Sequence, residues 1–264
     1  MPELIEVEAY RQLADRCVGR EINLVRCPDP WYLKAGLAGP NLAEWLRGRT
    51  ITSTGRRGKL MWFTTSDDGP VVGLRFGMTG RLIVDGVDGI GDLVYGSNRR
   101  DDKFVRFELG FVGGGTLVMS DPRRLGGVEA EPDVDSLGRE ASTITLKQLR
   151  GALGSSKAPL KAVLLDQSRI AGLGNLLCDE ILWRAKLHPG RRAGALTAGE
   201  SAALARTIVA TVRALTKSGG SHTGDIQIAR LRGGSCPRCG SLLGRDTIGG
   251  RTTYWCTQEQ LAAN

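Results

Sequence analysis

The sequence predicts an α+β fold: an N-terminal helix leading into a β-sandwich or barrel, then a helical region, then a small β-hairpin anchored by cysteines. Three observations predict it. Apolar residues recur at helical spacing over residues 3–18. From residue 20 to about 130 the text changes to short β-leaning runs punctuated by Gly, Asp and Pro. Three cysteines and several turn dipeptides gather in the last 33 residues, from Arg232 onward.

The elements follow in order. In ELIEVEAYRQLADRCV, Leu4, Val7, Tyr10 and Ala14 fall near one helical face, and Gly19 ends the helix. The runs EINLV, LMWFTT, VVGLRF, RLIV, KFVRFEL and GTLVMS then read as strands. Residues 131–142 (EPDVDSLGREAS) form a polar linker. Helices are expected near 145–153, 159–166, 175–186 and 197–217. The expected organisation is 1–132, 133–231 and 232–264, with no internal repeat and no low-complexity tract.

Composition narrows the function classes. Charged residues make up 24% and hydrophobic ones 41% of the 264 residues, which excludes wholesale disorder. No apolar run reaches the roughly 18 residues of a membrane span. MPELIEVEAYRQ carries three glutamates where a secretory signal has a basic and then an apolar stretch, so a cytosolic location is expected. Gly is 37 of 264 residues, or 14%, and its scatter implies many tight turns.

The formal charge of +8 is unevenly placed. Residues 1–132 hold 18 Lys/Arg and 18 Asp/Glu, net zero; residues 133–264 hold 36 − 18 = 18 Lys/Arg and 28 − 18 = 10 Asp/Glu, net +8. Such a one-sided excess fits a nucleic-acid grip, and it equally fits a solvated basic surface. Cys17, Cys27 and Cys178 stand alone in apolar surroundings and read as core residues. Cys236, Cys239 and Cys256 cluster, which in a cytosolic chain points to a metal before disulfides.

The N-terminus has chemistry of its own. Removal of Met1 before Pro2 is expected to expose a secondary amine. With an α-amino pKa of about 8, against about 10.4 for Lys, it is the better nucleophile near neutral pH toward an electrophilic sugar carbon. Glu3 and Glu6, three residues apart, share a helix face, and a carboxylate beside the amine can move protons. The same residues also suit an ordinary helix start, with Pro in the first turn and acids at the positive dipole end.

Here the chain resembles a known family. MPELIEVE is similar to the MPELPEVE opening of the formamidopyrimidine-DNA glycosylase / endonuclease VIII family. GRRGKLMWF (55–63) resembles its strand with a basic RGK, RFGMTGRL (75–82) its void-filling loop, and SDPRRLG (120–126) its DPRRFG segment. LLDQSRIAGLGNLLCDEILWRAKLHP (164–189) resembles its helix-two-turns-helix signature, and CPRCG (236–240) with GGRTTYWC (249–256) its zinc finger. The resemblance runs along essentially the whole chain.

The resemblance implies a β-sandwich, a helix-two-turns-helix region, a zinc-finger hairpin and a bifunctional DNA glycosylase that flips a damaged base out of duplex DNA. It assigns the nucleophile to Pro2, the general acid/base to Glu3, support of the N-terminal helix and site water to Glu6, and a phosphate contact to Lys59. It implies phosphate contacts from Lys161, Asn175 and Arg251, with Asn175 also capping its helix. Met78, Arg123 and Leu125 match the residues that fill the hole left by the extruded base; on the residues alone, Met78 is equally a core residue. Damaged double-stranded DNA is the implied partner, a monomer is expected, and the expected location is cytoplasmic and nucleoid-associated.

Three departures stand out. Leu125 replaces the usual Phe of this family. The interval SGGSHTGDIQIARLRGGSC is short for a capping loop, which implies a more open pocket and a preference for oxidised pyrimidines, ring-opened purines or bulky adducts. The fourth zinc cysteine is replaced by Glu259. Three readings of that metal position are open: Glu259 ligates Zn2+, His222 reaches the site, or the hairpin holds by packing of Tyr254 and Trp255. Two other functions are compatible with parts of the chain. A catalytically idle damaged-DNA or abasic-site binder would have little use for Glu3. A zinc-ribbon protein acting on RNA would want more stacking surface than 5% aromatics provides.

Overall fold

Alternation of apolar and polar residues drives the first 134 residues into two antiparallel sheets. The computed structural model describes residues 2–90 and 101–262 and divides into two units, Met1–Val134 and Asp135–Asn264. Met1, with its expected removal, lies outside the described residues.

In the first unit, helix α1 (Leu4–Ala14) is followed by a 3-10 turn at Asp15–Cys17, and Gly19 at φ 82° turns the chain into β1 (Ile22–Arg26). A further helix, α2 (Gly39–Leu46), went unanticipated; Gly39 and Pro40 mask its start, although Pro in the first turn suits a helix. The remaining strands are β2 (Ile51–Arg57), β3 (Leu60–Thr65), β4 (Val72–Arg75), β5 (Arg81–Val84), β6 (Val87–Asp88), β7 (Val105–Phe111), β8 (Thr116–Ser120) and β9 (Gly127–Ala130).

They form a five-stranded sheet, β1-β7-β8-β5-β6, and a four-stranded sheet, β2-β3-β4-β9. Met61, Phe63, Leu74, Phe107, Leu109 and Met119 line one shared core, so this is the expected sandwich. Helix α1 packs on β2 and β3 of one sheet and on β5 of the other. Its buried Val7, Tyr10 and Leu13 join that core, and this fixes the position of the N-terminal residues.

The second unit contains short parallel strands β10 (Arg139–Glu140) and β11 (Ile170–Ala171). Its helices are α3 (Leu146–Leu153), α4 (Leu160–Leu165), α5 (Asn175–Arg184) and α6 (Ala198–Ser218). Capping boxes at Thr145/Gln148 and Thr197/Glu200 start α3 and α6, and Gly219 at φ 101° ends α6. Strands β12 (Leu243–Ile248) and β13 (Arg251–Cys256) form the C-terminal hairpin. Its cysteines share a small core with Trp183 of α5 and with Ile226. Among the described residues no helix is long and apolar enough to cross a membrane. Cys17 and Cys178 are buried and Cys27 half-buried, all three as free thiols.

Candidate active site and nucleic-acid interface

The first unit carries the candidate chemistry at the start of α1. Pro2 is buried and immediately precedes the helix. Glu3 is the N-cap and is fully buried; Glu6 is 5% exposed. The Glu3 N–H donates to Glu6 Oε2 at 2.8 Å, and the Glu3 carboxylate accepts in return from the Glu6 N–H. Glu6 is thereby committed to bracing the helix start, and Glu3 is held in one orientation beside Pro2.

Lys59 lies in the two-residue turn joining β2 to β3, where Arg57 pairs with Leu60. Gly58 takes φ 57° at the first turn position, as a type II′ hairpin requires. Arg56 links this turn to α1: its Nε donates to Glu8 Oε2 at 2.8 Å and its Nη1 to the Gly58 carbonyl at 3.0 Å. The Lys59 turn and the helix bearing Pro2 and Glu3 are therefore tied through one guanidinium.

Two loops carry the candidate insertion residues, and Asp121 organises both. This fully buried carboxylate accepts from Thr79 Oγ1 at 2.5 Å, from the Arg123 N–H at 3.2 Å and from the Gly126 N–H at 2.8 Å. Gly77 sits at φ 56° with its Cα against the Leu125 backbone, where a Cβ would meet the carbonyl carbon at 2.4 Å. Half-buried Met78 and exposed Leu125 (51%) thus belong to one cross-braced loop pair.

The twin arginines divide their roles. Arg124, at φ 58°, donates to both oxygens of Asp29 at 2.6 and 2.7 Å. Its guanidinium beside Asp29 holds that carboxyl below the usual range. Arg123 is exposed and stays outside that pair. Asp121→Ala would strand two backbone N–H groups at a buried position. It is expected to cost about 3 kcal/mol, read as a lowered Tm together with weakened binding to an abasic-site duplex. An unchanged Tm would refute the organising role.

In the second unit, the turn before α5 contains Gly172 at φ 107°, and Gly174 is the N-cap. Asn175 is the first helical residue, which corrects its expected capping role. Its Nδ2 instead donates to the Thr252 carbonyl at 3.0 Å, next to Arg251. Arg251 is exposed at the first position of β13, after a Gly249–Gly250 turn with both φ values positive. The helix start and the hairpin tip are therefore joined.

Lys161 corrects a second expectation. It is fully buried, and its Nζ donates to Asp179 Oδ1 at 2.6 Å, to Thr253 Oγ1 at 2.8 Å and to the Thr252 carbonyl at 3.4 Å. Asp179 also accepts from Arg230 Nε at 2.9 Å and from the Tyr254 N–H at 3.2 Å. Burial pushes the Asp179 carboxyl up, and the two cations pull it back. A lysine so enclosed has no direction left for a phosphate; it clamps β13 to α4 and α5 instead. Asp179, missed in the sequence, is the centre of this clamp, and a lone acid inside a helix gave no signal of it.

The cysteine cluster includes the residue that departs from the family pattern. One donor atom each from Cys236, Cys239, Cys256 and Glu259 lie within 4.8 Å of one another. Tetrahedral zinc needs donors roughly 3.3–3.8 Å apart, and Cys239 and Cys256 Sγ stand at 3.4 Å. Trp183 Nε1 donates to Cys236 Sγ and the Glu259 N–H to Cys256 Sγ, each at 3.3 Å.

Glu259 Oε2 is buried and accepts no hydrogen bond. Arg238 Nε stands 3.0 Å away as an ion-pair partner only, and Lys186 holds Oε1 at 2.9 Å. A carboxylate oxygen of Glu259 within 4.8 Å of three sulfurs suits a metal ligand, with Lys186 and Arg238 paired to the same group. His222 is absent from the cluster.

The interval between α6 and the hairpin is pinned down rather than extended into a loop. Buried Glu180 accepts from the Asp225 and Ile226 N–H groups, each at 3.1 Å, and Arg230 is held by Asp179.

These features define a class: a two-unit protein with Pro2 and a buried capping acid at the start of a helix on a β-sandwich, and a helix-turn-helix with a cysteine-anchored arginine hairpin. The model of the formamidopyrimidine-DNA glycosylase N-terminal domain matches residues 1–128, and that of the formamidopyrimidine-DNA glycosylase H2TH domain matches residues 136–226. The formamidopyrimidine-DNA glycosylase of Streptococcus pneumoniae is 33% identical over 97% of both chains, and that of Bacillus licheniformis 32% over 98% of this chain and 99% of the other. The Lactococcus lactis Fpg complexes with abasic-site DNA and with Fapy-dG DNA each have a TM-score of 0.82 at 28% identity. They cover 98% of this chain and 99% and 100% of the respective Fpg chains. The chain belongs to the formamidopyrimidine-DNA glycosylase / endonuclease VIII family, and is a DNA glycosylase of base excision repair.

Proposed function

We propose that the chain is a bifunctional glycosylase and abasic-site lyase that works through Pro2. The observation that carries this reading is the reciprocal Glu3–Glu6 cap, which fixes the buried carboxylate of the residue that follows Pro2. Once Met1 is removed, the Pro2 nitrogen attacks C1′ of a flipped nucleotide. The N–C1′ bond forms, Glu3 takes up the proton released by the amine, the glycosidic bond breaks, and the departing base takes its proton from water. Glu3 delivers a proton to the ring oxygen as the sugar opens to the iminium. Loss of a C2′ proton then expels the 3′ phosphate, and water releases Pro2 from the sugar remnant.

Lys59, Asn175 and Arg251 bind phosphates in this reading, Arg251 through its planar fork. Met78, Arg123 and Leu125 enter the vacated stack. A short, pinned interval before the hairpin supports an open pocket and substrates larger or differently shaped than a small oxidised purine. The related Lactococcus lactis Fpg has been solved with oxidised-pyrimidine DNA and with N7-benzyl-Fapy-dG DNA.

Borohydride trapping on a duplex with one abasic site tests the reading. Wild type is expected to give a covalent protein–DNA band and strand cleavage, with Pro2→Gly altering trapping at the terminus. Tight binding with no trapped band would leave a damaged-DNA binder instead.

Cys236, Cys239, Cys256 and Glu259 would hold zinc, which when bound supplies a structural cross-link at the base of the β12–β13 hairpin. Glu259→Ala is expected to weaken zinc retention at least tenfold, measured by chelator competition and metal analysis. Glu259→Cys is expected to restore it. Retention equal to wild type in the alanine variant would remove Glu259 from the ligand set.

A further inference from the structure

A groove of about 380 Å³ lies on the second unit, between the segment leading into α3 and the outer face of α6. Its floor is aliphatic, with Ile144 and Leu146 on one wall and Ala205 and Val209 on the other. Leu146 is 40% exposed although it is a large apolar side chain. Exposed Arg206 and Arg213 rim the groove from α6. Seven residues apart on one helix, they lie on the same face about 10.5 Å from each other.

Neither arginine has a carboxylate partner among the described residues, unlike Arg191, which pairs with Glu200 at the start of the same helix. No acid occurs in residues 141–157 or 201–218, which supply both walls, whereas Lys147, Arg150 and Lys217 add to the positive field. The groove is thus apolar inside, and both charged residues that line it are arginines.

We infer that this groove docks an acidic amphipathic peptide segment of a partner protein. An aliphatic floor lined by small α6 side chains accepts the apolar face of a helix at close range. Two guanidinium forks two turns apart match carboxylates spaced seven residues apart on that helix. A nucleic-acid strand fits less well: the floor offers no aromatic ring for base stacking, and phosphates would be desolvated against aliphatic carbon. Nothing in the groove belongs to the residues assigned to base excision, so the docking function stands independently of the catalytic reading.

The test uses the full chain and a labelled synthetic helix carrying leucines at i, i+3 and i+7 with glutamates flanking them. Controls are a scrambled peptide and a lysine-for-glutamate version. Fluorescence anisotropy is expected to show binding at least tenfold tighter for the glutamate helix than for either control. Arg206→Glu/Arg213→Glu, and separately Val209→Asp, are expected to reduce it tenfold or more, with affinity for an abasic-site duplex unchanged. Arg206→Gln/Arg213→Gln serves if the charge reversal disturbs folding.

Equal binding of the scrambled helix would overturn the proposal. So would a parallel loss of duplex affinity in the arginine variants, which would assign the groove to nucleic acid. Self-association of the chain that Val209→Asp abolishes would overturn it in favour of a second copy.

Discussion

Glu3→Gln is expected to lower base excision about 10²–10⁴-fold under single turnover, while duplex affinity stays within a few-fold. The substitution is chosen for what it keeps. The Glu3 side chain has two roles: it accepts the Glu6 N–H that starts α1, and it stands fully buried beside Pro2. Glutamine retains an acceptor oxygen, so the helix cap survives, but it can neither take up nor give a proton. Glu3→Ala removes both functions, at a stability cost of about 1 kcal/mol for the lost cap. Thermal unfolding of the three proteins separates the roles. Glutamine is expected to leave Tm near wild type and alanine to lower it, with excision lost in both. Wild-type excision by the glutamine variant would remove Glu3 from the proton chemistry.

The second large effect concerns stability. Asp179→Ala leaves Lys161 and Arg230, 0% and 4% exposed at their side chains, as buried cations without their anion. Removing one partner of a buried pair costs about 3–5 kcal/mol, so a Tm reduction of roughly 10–20 °C is expected. The hairpin suffers directly, because Asp179 accepts the Tyr254 N–H and orients Lys161 toward Thr252 and Thr253, the two residues after Arg251. Lys103→Ala, which removes a surface ion pair with Asp101, is the control and is expected to change stability by less than about 1 kcal/mol. Calorimetry on both variants decides the matter; equal shifts would show that the Asp179 clamp adds no more than a solvated pair.

Much of the candidate site was legible before any fold was known. Pro2, Glu3 and Asn175 stand out from local chemistry, a terminal amine beside an acid and a helix start after a glycine-rich turn, while Lys59 and Arg251 come from the resemblance of their motifs. The three cysteines of the metal cluster were legible from their spacing, since Cys236 and Cys239 lie three residues apart in one turn. What failed depended on distant partners. Lys161 reads as a basic residue near a helix start, and only Asp179, 18 residues on, and Thr253, 92 residues on, draw it inside. Asn175 reads as a cap; the Thr252 carbonyl, 77 residues away, takes its amide instead.

The arginine pair shows the same division. Arg123 and Arg124 are chemically identical neighbours in the sequence. Both are exposed, but Asp29, 95 residues upstream, pairs with Arg124 and leaves Arg123 outside that pair. Glu259 is a related case: the sequence left its role open among three readings, and the fold gathers it with the three cysteines while His222 is absent from that cluster among the described residues.

The sequence by itself determined most of the order of helices and strands, a β-rich first unit, the chemistry available at the N-terminus and the three cysteines of the metal cluster. Those follow from side-chain periodicity, turn-forming glycines and residue type, which act over a few positions. Only the tertiary structure decided which charges face solvent and which neutralise one another inside, because burial makes an ion choose a partner regardless of its distance along the chain.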